Sequence, residues 1–411
     1  MPRPPAPSAP PEESALIRDY DYLIVGGGAA GLSLAYHISQ EPRLAGKRVV
    51  LVEPEESPRN DRTWRFWSDE PSPYEAIIAH QWNHMMFRTP QLTRRIALGQ
   101  YRYRMLRSLD FYQLVYRTLD ERPTQFVRLV GRVTGLQEVL SGSQARVLAT
   151  LADGTQLQAR YAFDSRLPKL APDPRRHLYL QQHFVGWEIE TDEDTFDVST
   201  MQFMDFDIEQ HQQVRFVYSL PFSPRRALVE FTVFSPELLA PAEYDEALRQ
   251  YLTQHLSGQR YRITGRESGS IPMTSHPLPA RVSARILNLG TRAGRAKPST
   301  GYTFARIQRH SAHLVAALAA SGHPPANPTT DQWQFPLFDT LLLDIMQRRG
   351  ESVRDIFQQL FTRNPVERIF RFLDERTTPL ENLQIMNSVT PWPFLRSIWH
   401  LVRRRPGQRG E

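Results

Sequence analysis

Between Asp21 and Glu53 the chain leaves itself few folds to choose from. Tyr22-Leu23-Ile24-Val25 reads as an apolar strand, Gly26-Gly27-Gly28-Ala29-Ala30-Gly31 follows at once, and Leu32, Ala35 and Ile38 then recur at helical spacing. A second strand, Val49-Val50-Leu51-Val52, ends on Glu53. Gly-x-Gly-x-x-Gly alone is a weak signal; between a strand and a helix, with an acid closing the next strand, it is a dinucleotide-binding fingerprint. Gly26, Gly28 and Gly31 permit the tight turn, close approach of a pyrophosphate and close helix–strand packing, while the helix N-terminus at Ala29 and Ala30 faces the phosphates. Glu53 then accepts from ribose hydroxyls. The competing reading is a glycine-rich turn that holds nothing.

The spacing admits FAD or NAD. A second strand–loop–helix favours FAD: residues 284–290 read as a buried strand, 291–300 as a loop, and Phe304, Ile307, His310, Leu314 and Leu318 as a helix. A helix starting near Ser299-Thr300-Gly301 aims its positive end at the remote part of a long cofactor, and a reduced flavin ring is an anion. Gly290, Pro298, Ser299, Thr300 and Gly301 are the candidate contacts there.

Composition removes other classes. Among 411 residues, 40% hydrophobic and 23% charged is globular usage. The absence of cysteine excludes disulfides, thiolate metal sites and a cysteine nucleophile, and points to a reducing compartment. No apolar run reaches the roughly 18 residues that span a bilayer, and the N-terminal MPRPPAPSAPPEES lacks a signal-peptide core. A cytoplasmic protein is expected. The net charge of +6 suits nucleic acid, an anionic membrane surface or an ordinary arginine-rich protein, but no nucleic-acid fingerprint accompanies it. Twelve histidines without HExxH-type spacing indicate no metal site, and no Gly-x-Ser-x-Gly elbow marks a hydrolase.

Residues 1–18, proline-rich and polar, are expected to be disordered. Residues 19–180 and 276–325 read as a discontinuous nucleotide-binding domain, with a β-meander over 125–164 turned at Asp153-Gly154. An inserted β-sheet substrate domain occupies 181–275, with strands at 215–220 and 227–234 and a helix at 241–256. Residues 326–411 read as a helical C-terminal region, with helices near 338–347, 352–361, 365–372 and 393–402.

Further motifs resemble one family. Asn60-Asp61-Arg62-Thr63-Trp64 with Phe66-Trp67, Phe216-Val217-Tyr218-Ser219-Leu220-Pro221-Phe222-Ser223 running into Leu228-Val229-Glu230-Phe231-Thr232, and Lys297-Pro298-Ser299-Thr300-Gly301-Tyr302 are similar to blocks of the FAD-dependent lycopene cyclases of carotenoid-making bacteria and plants. The likeness runs from Tyr20 to about Leu380. It implies an α/β, flavoprotein-hydroxylase-like fold: a Rossmann-like FAD domain, an inserted sheet and C-terminal helices. It further implies bound, reduced FAD with NAD(P)H as electron source, lycopene as substrate, and other carotenoid-pathway enzymes as partners. The family's acid maps onto Glu230. Where relatives carry a second acid this chain has Phe231, Arg65 stands where many have cysteine, and Gly290-Thr291 replaces the Gly-Asp common among flavoproteins.

Ring closure of lycopene needs a proton on the terminal double bond, attack by a neighbouring double bond, and loss of a proton. Nothing is oxidised overall. An acid beside an apolar tunnel is required, with negative charge near the cation. Glu230 is the candidate as acid or base; the competing reading is a carboxylate on a strand face shared with Leu228 and Thr232. Glu188, Glu190, Asp205 and Asp207 are weaker candidates. Trp64, Trp67, Phe203, Phe216 and Tyr218 either line a polyene site or form ordinary core. Lycopene resides in bilayers, and Trp392, Phe394, Leu395, Ile398, Trp399, Leu401 and Val402, followed by Arg403-Arg404-Arg405, suit peripheral docking on an anionic membrane surface. A helix packed on the core with a solvated tail fits the same residues. The rival functions are an FAD-dependent monooxygenase or reductase acting on an isoprenoid or aromatic substrate, and a non-catalytic FAD- or carotenoid-binding protein.

Overall fold

The computed structural model describes residues 18–54, 60, 62–141, 144–170, 172–328 and 332–404. The tail expected to be disordered therefore lies outside the described residues, except Arg18, which opens the first strand. In chain order the first half contains β1 (Arg18–Val25), α1 (Ala29–Gln40), β2 (Val49–Glu53), β3 (Thr63–Ser68), β4 (His80–Trp82), β5 (His84–Thr89), β6 (Leu92–Ala97), β7 (Arg102–Arg107), α2 (Ser108–Asp120), β8 (Phe126–Val130), β9 (Val133–Ser141), β10 (Gln144–Leu151) and β11 (Gln156–Asp164). Then follow β12 (Tyr179–Thr191), β13 (Thr200–Asp205), β14 (Val214–Ser223), β15 (Arg226–Ser235), α3 (Pro241–His255), β16 (Tyr261–Thr274), β17 (Ile286–Asn288) and α4 (Phe304–Ser321). The C-terminal region is α5 (Gln334–Arg349), α6 (Glu351–Arg363), α7 (Val366–Leu373), α8 (Pro379–Ser388) and α9 (Trp392–Arg404).

The first sheet runs β8-β2-β1-β11-β10-β9, with β17 alongside the end of β11. Strands β1, β2, β8, β11 and β17 are parallel, and β2 is buried over its whole length. Both faces are covered, as a parallel sheet requires. Alternation divides them: Tyr22, Ile24, Val49 and Leu51 pack under α1, α2 and α4, whereas Leu23, Val25, Val50 and Val52 pack against Val133, Val147, Ala149 and Leu151.

The second sheet runs β16-β12-β15-β14-β13-β5-β6. One face holds α3, whose Tyr244, Leu248, Tyr251 and Leu252 recur at helical spacing and pack on Trp187, Val217, Val229, Phe231 and Val233. Each such buried side chain contributes roughly 1.5–3 kcal/mol. The opposite face, with Phe216, Tyr218, Leu220 and Leu228, meets Phe357, Phe361, Ile369 and Phe370 of α6 and α7. Between the two sheets lies a small one, β3-β7-β4. On β3, Trp64 and Phe66 turn to the nucleotide-side core while Trp67 turns to the second-sheet core.

Three expectations are corrected. Residues 126–130 do not belong to the meander: β8 pairs parallel with β2, and only β9, β10 and β11 form antiparallel neighbours. The second sheet starts at Tyr179 and takes β5 and β6 from outside 181–275, through a parallel pairing of β5 with β13 that no local pattern encodes. The helix expected near Ser299 begins at Phe304, because Lys297 and Gly301 first close a turn, Gly301 N–H donating to the Lys297 carbonyl at 2.8 Å.

Candidate active site

The β1–α1 turn is built as the glycines require. Gly26 takes φ +100°, and a Cβ on Gly31 would collide with the Gly26 carbonyl oxygen. A Cβ on Gly28 would meet only open space, which leaves that side clear for a ligand. Ala30, at the start of α1, is approached by Gly290, which has φ +57° and whose Cβ would stand 2.8 Å from that of Ala30. Glu53, at the end of β2, is buried and accepts a 2.5 Å hydrogen bond from the Tyr116 hydroxyl. Burial pushes its carboxyl above the usual range, against that hydrogen bond.

The second loop is held from behind. Lys297 is buried and pairs with Asp339 of α5 and with Glu375, each at 2.8 Å. Arg306 also reaches Glu375, at 2.5 Å, and the Ser299 hydroxyl donates to Asp339 at 2.6 Å. Gly301, at φ +72°, lies against the Gln182 side chain of β12. Gln182 Oε1 and Thr300 Oγ1 are buried with no hydrogen-bond partner. Unsatisfied buried polar atoms carry a cost unless a ligand or water meets them. Together with the clear side of Gly28 and the acid at Glu53, they fit a long dinucleotide reaching from the first loop toward the second.

Glu230 lies in the middle of β15, 1% exposed. Arg65 Nη1 donates to its Oε2 at 2.9 Å, and the Thr232 hydroxyl to its Oε1 at 3.2 Å. Arg65 Nη2 also donates to Glu267 of β16, whose second oxygen accepts from Thr63 at 2.8 Å. Two buried tyrosines and a half-buried one stand beside this cluster, with Tyr302 OH 3.2 Å from Tyr103 OH and 3.3 Å from Tyr218 OH. Burial is the largest influence on Glu230 and pushes it up to about 8; Arg65 opposes this and the neighbouring Glu267 adds to it. Burial acts on Glu267 in the same sense, but Arg65 and the hydrogen bonds it accepts outweigh that and hold it below the usual range.

Of the aromatic candidates, Phe216 and Tyr218 face the same side of the sheet as Glu230, Tyr218 being its register partner. Trp67 packs edge-on to Tyr302 and stacks on Phe370 at 4.7 Å. Trp64 lies apart, stacked on Phe304 at 5.2 Å within the nucleotide-side core. Phe203 joins Tyr103 and Tyr218 in the second-sheet core. Glu188 and Glu190 pair with Arg226 and Arg262, and Asp205 with Arg88, so these acids serve ion pairs away from Glu230. Reasoning from sequence missed Arg65 as a partner, Glu267, Gln182 and Tyr103. The available signal was Gly186, a glycine in mid-strand that marks a close approach.

The architecture defines an α/β protein with a flavoprotein-hydroxylase-like fold. The same fold is found in a geranylgeranyl bacteriochlorophyll reductase-like protein of Thermoplasma acidophilum (TM-score 0.57, 13% identity, covering 94% of this chain and all of that one). It is also found in aklavinone-11 hydroxylase crystallised with FAD and aklavinone (TM-score 0.57, 14% identity, 82% and 71% covered). The chain belongs to the lycopene cyclase family, whose model, described as lycopene cyclase protein, matches residues 21–398. It is 27% identical to the lycopene beta-cyclase of Pseudescherichia vulneris, over 91% of this chain and 95% of that one. It is 29% identical to that of a Paracoccus species, over 94% and 98%.

Proposed function

We propose that this chain is a lycopene β-cyclase, closing the linear ends of lycopene to β-ionone rings and yielding β-carotene by way of γ-carotene. Its cofactor is FAD, kept reduced by NAD(P)H. The observation that carries this reading is Glu230: a buried carboxyl held by Arg65 and Thr232 beside Tyr103, Tyr218 and Tyr302, on the sheet face whose Gln182 meets the second loop. Family membership and the bacterial relatives named above support it.

Gly26, Gly28, Ala29, Ala30, Gly31 and Glu53 would hold the adenosine diphosphate part of the cofactor, and Gly290 with Pro298, Ser299, Thr300 and Gly301 the remainder. When bound and reduced, the flavin supplies negative charge beside a developing cation. Glu230, protonated at neutral pH, gives its proton to the terminal double bond, so that an O–H bond breaks and a C–H bond forms. The neighbouring double bond then attacks the cationic carbon and closes the ring. Loss of a ring proton to the carboxylate restores the acid, with no net oxidation. Trp67, Phe216 and Tyr218 offer ring faces to the cation and exclude water. The substrate is collected at a membrane surface, on which α9 docks.

The test is Glu230→Gln in a lycopene-accumulating bacterial host, with flavin content measured on the purified protein. The expected result is unchanged red lycopene from a flavin-loaded variant. Near-normal β-carotene would remove Glu230 from the chemistry, and consumption of NAD(P)H and oxygen in proportion to product would instead identify a monooxygenase.

A further inference from the structure

Two carboxyls meet where a central strand has no side chain. Gly186 of β12 stands opposite Glu230 of β15 on one side and Glu267 of β16 on the other. A Cβ at Gly186 would lie 3.1 Å from Glu267 Cγ and 3.4 Å from Glu230 Cβ. The bare backbone is what lets the two glutamates approach each other across the strand and share one guanidinium. Arg65 enters from β3 and places one guanidinium nitrogen on each. Phe231, next to Glu230 on β15, turns its ring toward α3 on the opposite face. The partner of Glu230 thus comes from another strand.

The cluster holds one guanidinium and two carboxyls. Full ionisation would leave an unbalanced buried charge, so one carboxyl keeps a proton. Water decides which. The Glu267 side chain is 24% exposed and that of Glu230 2%, and the anion is least costly where solvent reaches it. Thr63 adds a further donor to Glu267. The other titratable groups facing Glu230 are Tyr103 of β7, Tyr218 of β14 and Tyr302. Burial pushes Tyr103 up to about 12 and the other two well above the usual tyrosine value, so all three stay neutral while the carboxyls titrate.

We infer that Glu267 is a positioning residue of the cyclisation: by occupying one edge of the Arg65 guanidinium it leaves Glu230 holding the proton delivered to the substrate. The inference rests on the reading of Glu230 as the acid. Without Glu267, Glu230 is the anionic partner left to Arg65 among the described residues, and the guanidinium draws the proton off it.

The experiment uses the full chain loaded with FAD, reduced anaerobically with dithionite, with lycopene in phosphatidylcholine liposomes, and reads initial rate against pH. An acid must be protonated to act, so the rate is lost as pH rises through its pKa. Glu267→Gln is expected to move that loss downward by about one pH unit or more, with the rate on the acid side retained. Arg65→Gln moves it upward. A purely structural role for either residue would not shift the limb in opposite directions. The infrared band of the protonated Glu230 carboxyl, read without substrate, is expected in the native protein at neutral pH, weakened in Glu267→Gln and lost in Glu230→Gln. If Glu267→Gln does not fold, Gly186→Ala, which wedges the pair apart, is expected to give the same downward shift. A flavin-loaded Glu267→Gln or Gly186→Ala enzyme with the native pH limb and the native infrared band overturns the inference and leaves the cyclase reading intact. An active Glu230→Gln enzyme overturns both.

Discussion

At the scale of single residues, protonation and close approach govern what the site can do. Burial holds the Glu230 carboxyl at about 8, so cyclisation by the native protein is expected to be sustained through neutral pH and to fall as pH rises past that value; a rate–pH profile with reduced flavin checks this. Gly31→Ala places a methyl against the Gly26 carbonyl and is expected to abolish flavin retention, read from the absorbance of the purified protein. Glu53→Gln keeps the volume but removes the charged acceptor. A hydrogen bond to a charged group contributes about 1.5–3 kcal/mol, so FAD affinity is expected to drop roughly tenfold or more in a fluorescence titration. The glycine turn and Glu53 were legible in the sequence because they belong to one contiguous unit. Glu267 was not, because its meeting with Glu230 depends on both flanking the same glycine of a third strand.

At the scale of elements, α9 has apolar residues on two sides. Phe394 and Leu401 pack against the core, Ser397 is buried, and His400 Nδ1 lies 2.6 Å from Asp344 of α5. Trp392, Leu395, Ile398, Trp399 and Val402 remain exposed, and Arg403 lies over the Trp399 ring at 3.5 Å. Just before it, α8 exposes Leu380, Leu383 and Met386. Apolar surface of this kind, with basic residues at its end, suits an anionic lipid interface. Replacing Trp392 and Trp399 together by glutamate is expected to abolish flotation with anionic liposomes while leaving thermal unfolding nearly unchanged, since both side chains are more than half exposed. No described helix is long and apolar enough to cross a membrane. Several strands and helices were readable from periodicity: β15, α3, α6 and α7 fall within two residues of expectation at each end. The strands from Thr63 to Arg107, α2 and α8 were not assigned, for they are short or interrupted and gain their definition from pairing across the fold.

At the scale of the whole molecule, the second nucleotide loop is fastened to the C-terminal helices by Lys297, Asp339, Glu375 and Arg306. Removing one partner of a buried ion pair leaves a charge uncompensated, and Lys297→Met is expected to cost about 3–5 kcal/mol, seen as a lowered unfolding temperature with loss of flavin. The helical character of the C-terminal region was legible from periodicity; this cross-bracing was not, because Lys297 and Glu375 are far apart in sequence and neither sits in a pattern that announces the other. The bracing limits how such a protein can be inherited in pieces. A crossover between relatives that falls between positions 297 and 339 unites a loop from one parent with helices from another, so unless both parents carry matching charges at these positions, the hybrid receives a lock from one line of descent and a key from the other.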